Sequence, residues 1–445
     1  LTFLKPTRMS VRLHIALFTL GFGLLLNGQD VKKIRSLEQK LVSAPNRERF
    51  EVLLHIAFEY RNSFPDSTII YSNEAYELGR NLKLSSDMAR PLNYIGLAYG
   101  VSGNFRKSLD YLERAIKVAT EQKDSLQLGY CFNNLGRMLL DADESDKALV
   151  NLEQARGILR RQGDQTGLAY VTRGLSDYHK FKGDLKEAER LALEALDIRY
   201  TLGDDRAIIT SLLELGMLYQ TMGNAAEASN RVFQAEDRAA LLKDPETLTE
   251  VRVALGELAL QAGDINKADR YSRLGVADAS SIFNRKLLTT VHMLRSKVLF
   301  RKKAWKDCIA QLEKVKSEAR ATGNLHAEKE AMMMRLTCFE ELGDVEMVDE
   351  VTETVKSLNT RISNNELRKE TERLHLKLSI EQNEAEIAKY KLSQLNDRTL
   401  LFKRENENLI LVFALALFFV ACGLLFFMLI RRNQLNRRLA AQNEQ

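Results

Sequence analysis

The apolar positions of this chain fall on a helical period, and the helical pattern itself recurs along the sequence. An apolar residue followed by a small one stands at Ile95-Gly96, Leu135-Gly136, Leu175-Ser176, Leu215-Gly216 and Leu255-Gly256, a period of 40 residues. Twelve residues after each small residue comes Ser108, Ala148, Ala188, Ala228 or Ala268, and seven after it Gly103, Gly183, Gly223 or Gly263, with Asp143 the one departure. Ala115, Ala155, Ala195 and Ala235 share another helix position, and Asp124, Asp164, Asp204 and Asp244 follow at the same stride, continued by Asn284 and Asn324. Two antiparallel helices approach closely only where side chains are small, and the free N–H groups of a helix start need an acceptor. The Gly-Asn or Gly-Asp pairs at 103, 183, 223, 263 and 343 mark a left-handed helix end followed by a cap. Each unit is therefore predicted to be a helical hairpin.

These landmarks resemble the tetratricopeptide repeat (TPR), carried by Ile95, Gly96, Tyr99, Gly103, Asn104 and Ala115, and by Leu215, Gly216, Tyr219, Gly223 and Ala228. The resemblance covers about residues 47–355 and implies an all-α fold, an α-solenoid of about eight 40-residue hairpins. The stride exceeds the usual repeat of about 34 residues, so the helices are expected to be longer by nearly a turn. A weaker first repeat is centred on Ile56 and Ala75. Two weaker last ones are centred on Ser296 with Cys308 and on Leu336 with Gly343 and Asp344.

Beyond the repeats, Leu367, Leu374, Glu381, Ala388, Leu395, Phe402 and Leu409 recur every seven residues, interleaved with Leu378, Ala385 and Leu392. That is a heptad seam, weakened by Thr371, Glu381, Thr399 and Asn406, and it predicts a homodimer through residues 367–409. Residues 409–430 follow in phase, 22 positions without a charge, enough at about 1.5 Å per residue to cross a bilayer core of roughly 30 Å. Arg431, Arg432, Arg437 and Arg438 come next, which places the C-terminus in the cytoplasm by the positive-inside rule. At the other end, Arg12, an apolar run from Leu13 to Leu26, then Asn27 and Gly28 have the order of a secretory signal peptide, with Met9 the expected start. The organisation expected is a signal peptide at 1–28, a lead-in at 29–46, the solenoid at 47–357, a coiled-coil linker at 358–408, a transmembrane helix at 409–430 and a basic cytoplasmic tail at 431–445. The solenoid is expected outside the inner membrane of a bacterium.

Composition agrees with a helical array and narrows the chemistry. Proline is limited to five residues, and the net charge of +5 comes from Lys and Arg interleaved with Asp and Glu, with no basic stripe, so no nucleic-acid partner is expected. Cys131, Cys308, Cys338 and Cys422 lack metal-ligand spacing; Cys308 and Cys338 stand either as separate buried thiols or bonded across adjacent repeats. The six histidines are scattered over helices. His375 would lie on the exported side, away from ATP, and no phosphate-binding glycine loop or nucleophile triad is recognisable. No catalytic, cofactor or metal residues are assigned, and the chain is not expected to be an enzyme.

Function is then expected in the concave groove, lined by the first helix of each hairpin, with a protein or peptide as ligand. Residues six before, three before and one after each small residue share a stripe, giving Arg90, Asn93, Tyr130, Asn133, Arg137, Tyr170, Arg173 and Asp177. Asn can pair with an extended backbone and Arg with a carboxylate. The order of segments looks like the sensory half of repeat-containing bacterial sensor histidine kinases and related membrane regulators, in which a cytoplasmic effector follows. That resemblance implies a sensor that relays binding through its stalk. A passive envelope scaffold is the alternative, and a catalytic effector beyond residue 445 is a third expectation.

Overall fold

The computed structural model describes residues 29–443, except 62, 63, 85, 280, 281 and 283. The expected signal peptide at 1–28 lies outside the described residues. Among the described residues there are seventeen helices and no strand. Helix α1 (Gln29–Ser43) leads into eight hairpins. These pair α2 (Asn46–Tyr60) with α3 (Pro65–Asn81), α4 (Ala89–Val101) with α5 (Phe105–Glu121), α6 (Ser125–Asp141) with α7 (Ser145–Gln162), and α8 (Gln165–Phe181) with α9 (Leu185–Leu202). They continue with α10 (Asp205–Thr221) and α11 (Ala225–Leu242), α12 (Pro245–Gln261) and α13 (Ile265–Ala279), and α14 (Arg285–Arg301) and α15 (Trp305–Thr322). The eighth joins α16 (Leu325–Leu342) to the beginning of α17 (Val345–Asn443), through a cluster of Met332, Phe339, Val351 and Leu358.

The hairpins close where the sequence places small residues. A Cβ on Gly96 would sit 2.7 Å from Leu112 Cγ, one on Gly136 2.7 Å from Leu152 Cγ and one on Gly216 2.7 Å from Val232 Cγ2, so the same contact recurs in three hairpins. The partner position twelve residues on is buried throughout, as Ser108, Ala148, Ala188, Ala228, Ala268 and Cys308. Where one of the two carries a hydroxyl, it crosses the interface: Ser108 Oγ donates to Gly96 O at 2.7 Å, and Ser176 Oγ to Ala188 O at 2.7 Å. Cys308 Sγ makes the matching contact to Ser296 O at 3.4 Å. Cys308 and Cys338 meet in one core cluster as free thiols, and the hydrogen bond between them pushes the Cys308 thiol up and holds that of Cys338 down.

Turn chemistry follows the stride as well. Gly103, Gly183, Gly223, Gly263 and Gly343 all have φ between +72° and +80°, and Asp143 takes the same left-handed conformation at +70°. Asp124, Asp204 and Asp244 each accept from the backbone N–H three residues on, as do Asn284 and Asn324. Asp164 is the exception, because its carboxylate accepts from the Tyr130 hydroxyl at 2.7 Å instead of capping α8.

The chain divides into two units, Leu1–Leu376 and Lys377–Gln445. Helix α17 is one uninterrupted helix of 99 residues, with no break at the expected start of the linker at residue 358. In the second unit its heptad residues Leu378, Leu392, Leu395, Phe402 and Leu409 are exposed, and it contains the stretch long and apolar enough to cross a membrane.

Because the Gly136 contact includes the Ala148 carbonyl oxygen 3.0 Å away, Gly136→Val is expected to cost about 2–3 kcal/mol, as overpacking does. Gly203→Ala meets nothing within 4 Å and carries only the left-handed backbone strain of about 1 kcal/mol. Urea titration followed by helical circular dichroism should rank them in that order.

Candidate functional site

The first helices form the inner layer of the solenoid. Among the described residues, first helices of successive hairpins touch, as α2 with α4, α4 with α6, α6 with α8, α10 with α12, α12 with α14 and α14 with α16, whereas no two second helices do. The layer whose members touch follows the shorter arc and is the concave one. The series breaks once: α8 and α10 have no such contact.

A cleft of about 280 Å³ opens at that break, with Arg173, Asp177 and Lys180 from α8, Ala192, Ala195 and Arg199 from α9, and Ser211, Glu214 and Met217 from α10 on its walls. One of its walls, α9, carries a departure from the repeat. The repeat position that carries Ala119, Leu159, Ala239, Ala279 and Ala319 elsewhere carries Arg199 here. This guanidinium is buried and donates to Ala207 O at 3.2 Å and to Ser211 Oγ, so a charged group stands where most other repeats have an alanine. Burial lowers its hold on its proton. Arg173 then bridges the gap, its Nη2 lying 2.5 Å from Glu214 Oε1, with Asp177 Oδ2 4.0 Å from its Nε.

Burial pushes the Glu214 carboxyl above its ordinary value of 4.5; Arg173 pulls it back, Asp177 raises it further, and Arg199 and Arg137 lower it. Arg137 also faces Asp141, whose carboxyl is likewise raised by burial. A matched but incompletely bonded set of charges results. Arg173 Nε and Asn133 Oδ1 are buried and have no hydrogen-bond partner among the described residues. By contrast, buried Asp269 is surrounded by Arg295 at 2.6 Å, Lys302 at 3.2 Å and Arg273, which leaves it nothing to offer a ligand.

Of the residues expected in the groove, Arg173 and Asp177 line this cleft, and Arg137 acts electrostatically on its Glu214. Tyr170 lies near enough to act electrostatically on both Tyr130 and Arg199. Tyr130 is held by Asp164, and its hydroxyl resists ionisation because it is buried and donates to that carboxylate. The others sit apart or deeper. Arg90 pairs with Glu51 on α2 at 3.0 Å, and Asn93 and Asn133, only 2 % and 3 % exposed, belong to an amide chain between α4 and α6. In that chain Asn134 Nδ2 donates to Asn93 Oδ1 at 3.0 Å and Asn133 Nδ2 to Asn134 Oδ1 at 3.2 Å. Arg199 and Glu214 were missed by following a single helix stripe. The available signal was their departure from the repeat: Arg199 among alanines, and Glu214 as the one acid in the run Ile208 to Met217.

Comparison with known proteins agrees with this architecture. Residues 26–290, which are 265 of the 445, match the SusR N-terminal TPR domain. The chain belongs to that family. Tetratricopeptide repeat protein 29 of Trypanosoma brucei brucei is 24% identical over 185 residues, 40% of this chain and 35% of that protein. Among solved structures, a Signal Transduction ATPase with Numerous Domains with a tetratricopeptide repeat sensor, from Pyrococcus horikoshii, is similar with a TM-score of 0.54 at 17% identity, covering 76% of this chain and 51% of that one. The apo quorum sensor NprR of B. thuringiensis gives a TM-score of 0.48 at 16% identity, over 74% of this chain and 99% of that one. The chain thus spans about a third and about half of the first two proteins' lengths.

Two outcomes check the cleft. In a double-mutant cycle, Arg173→Ala and Glu214→Ala should couple by about 1–2 kcal/mol, each single change leaving a half-buried charge without its partner. Glu214, whose carboxyl titrates above its unfolded value, contributes stability that is complete in acid below about pH 4.5 and lost as pH rises through the raised value. Glu214→Gln should remove that component from the pH dependence of the urea midpoint.

Proposed function

We propose that this chain is a membrane-anchored protein-interaction module, the input part of a bacterial signal-transduction protein, which binds a protein or peptide in its concave groove outside the inner membrane. The cleft between α8 and α10 carries this reading. It combines guanidinium and carboxylate groups on one inner surface with Arg173 Nε, which has no hydrogen-bond partner among the described residues, and such groups gain from a ligand that supplies complementary charge and hydrogen bonds. A TPR array offers a protein-binding surface and no converging catalytic groups, and among the described residues no cluster of His, Cys, Asp and Glu is disposed to hold a metal.

The relay is supported by α17. Its exposed apolar heptads suit a second copy of the chain, and they run in register into an apolar segment of membrane-spanning length. Paired helices of this kind pass a change in packing from one side of a bilayer to the other. The likeness to sensory halves of histidine kinases and related regulators points the same way, with the effector on the cytoplasmic side.

Two measurements on the full chain in membranes test the proposal, in a Cys422→Ser background. Cysteines at Leu378, Ala385 and Leu392 should form interchain disulfides severalfold faster than cysteines at Glu386 and Lys389, and equal rates would rule out the seam. A photoreactive residue at Met217, exposed on the cleft wall, should give a protein adduct that Arg173→Glu abolishes and that the same residue at Lys117 on α5 does not give. An adduct indifferent to Arg173 would sink the groove assignment.

A further inference from the structure

The first part of α17 has two faces of different character. Leu358, Ile362 and Leu376 are buried, the last with 0 % exposure, and Asn365, Glu372 and Arg373 between them are half-buried. These positions recur at helical spacing along one stripe. The heptad residues Leu367 and Leu374 lie off that stripe and are 67 % and 59 % exposed. The segment therefore packs through one face while its dimer seam stays free on another.

Its contacts show where it packs. Near its start, Arg361 Nη1 lies 3.8 Å from Glu328 Oε2 and Glu366 Oε1 3.9 Å from His326 Nε2, both at the beginning of α16 in the eighth hairpin. Farther on, the Lys369 side chain comes within 3.9 Å of where a Cβ on Gly103 would stand, in the turn after α4. Arg373 Nη2 donates to Asp141 O at 3.4 Å, 232 residues away at the C-terminal end of α6. The segment thus spans from the eighth hairpin to the ends of the first helices of the second and third. The far end has a physical reason to attract a cation. The last carbonyls of α6 are the negative pole of that helix, and the exposed Asp141 carboxylate adds a formal charge there. Arg137, one turn back on α6, and Asp177 on α8 tie the same spot electrostatically to the cleft charges.

We propose that the ends of α4 and α6 form a docking surface for an amphipathic helix that presents a cation to them, that residues 361–376 of this chain are its resident occupant, and that a partner entering the groove displaces them. This inference rests on the groove being the ligand site. It specifies the partner chemistry as a helix presenting a guanidinium or ammonium group to the Asp141 end. Displacement would act on the very helix whose opposite face carries the heptad seam.

The test uses the full chain in detergent micelles and a fluorescein-labelled synthetic peptide of residues 359–380. Lys369→Glu with Arg373→Glu leaves the heptad residues untouched and reverses the charges aimed at α4 and α6. The double variant should bind the peptide about tenfold or more tightly than the wild type, because apparent affinity scales with the fraction of molecules whose surface is vacant. A peptide carrying the same two reversals should bind neither protein. If the double variant does not fold, Arg373→Ala should show the same direction at about threefold, and peptide binding to it should slow hydrogen exchange of the amides at the end of α6. Equal binding to wild type and variant, or binding to neither, overturns the proposal. Wild-type peptide binding that weakens as the protein is concentrated assigns the surface to a second copy and overturns occupation in cis. Because the readout is independent of the Met217 adduct, a failed peptide test with a surviving Arg173-dependent adduct removes only this inference. A failed adduct with successful peptide displacement removes the groove as ligand site.

Discussion

The close contact between the two helices of the second to seventh hairpins, made possible by a pair of small residues twelve apart, is the constraint on which the rest of the molecule depends. A solenoid repeat buries its apolar face only against its own partner helix and its neighbours, so the error at one contact is passed to every later repeat. With Gly or Ser facing Ser, Ala or Cys, helix backbones approach until a Cβ on the glycine would lie 2.7 Å from its neighbour. The repeats then stack with their first helices inward. Hydroxyls at the same interface, on Ser108 and Ser176, donate to the facing backbone and so do not leave a polar atom unsatisfied at the tightest point.

The candidate site lies where the stacking of first helices is interrupted. Between α8 and α10 an arginine stands where most other repeats have alanine, and the gap holds charges that compensate one another without exhausting their hydrogen-bonding capacity. A uniform array would present a smooth groove. Here the groove carries a cleft with charges of both signs. The same logic separates this cleft from the Asp269 cluster, where three cations leave the carboxylate fully matched and the arrangement serves the fold.

The long terminal helix combines three tasks that differ only in which residues are apolar. Its beginning completes the eighth hairpin, its next turns lay one face against the second and third hairpins, and its remainder carries exposed heptads and an uncharged stretch. Helical periodicity makes this compatible, because stripes offset by a residue or two point in different directions around one axis. A helix held on one face by Arg373 and Leu376 can therefore keep its seam open on another.

Much of this was legible in the amino-acid order. The 40-residue stride, the glycine turns and the Asp or Asn caps are local requirements, each met by residues a few positions apart, so the hairpins and their number follow from the chain alone. So does the apolar run at 409–430. Of the residues expected in the groove, Arg173 and Asp177 share one cleft, because a helix stripe is also a local property. What the order of residues could not reveal is what depends on the spacing between elements far apart in sequence. Whether Asn93 and Asn133 face a ligand or each other's helices, that Asp164 holds Tyr130 instead of capping α8, that Arg199 lines a cleft, and that Arg373 reaches Asp141 across 232 residues all depend on the curvature accumulated over successive repeats. Small rotations at each close contact add up along the array, and only the folded solenoid sets their sum.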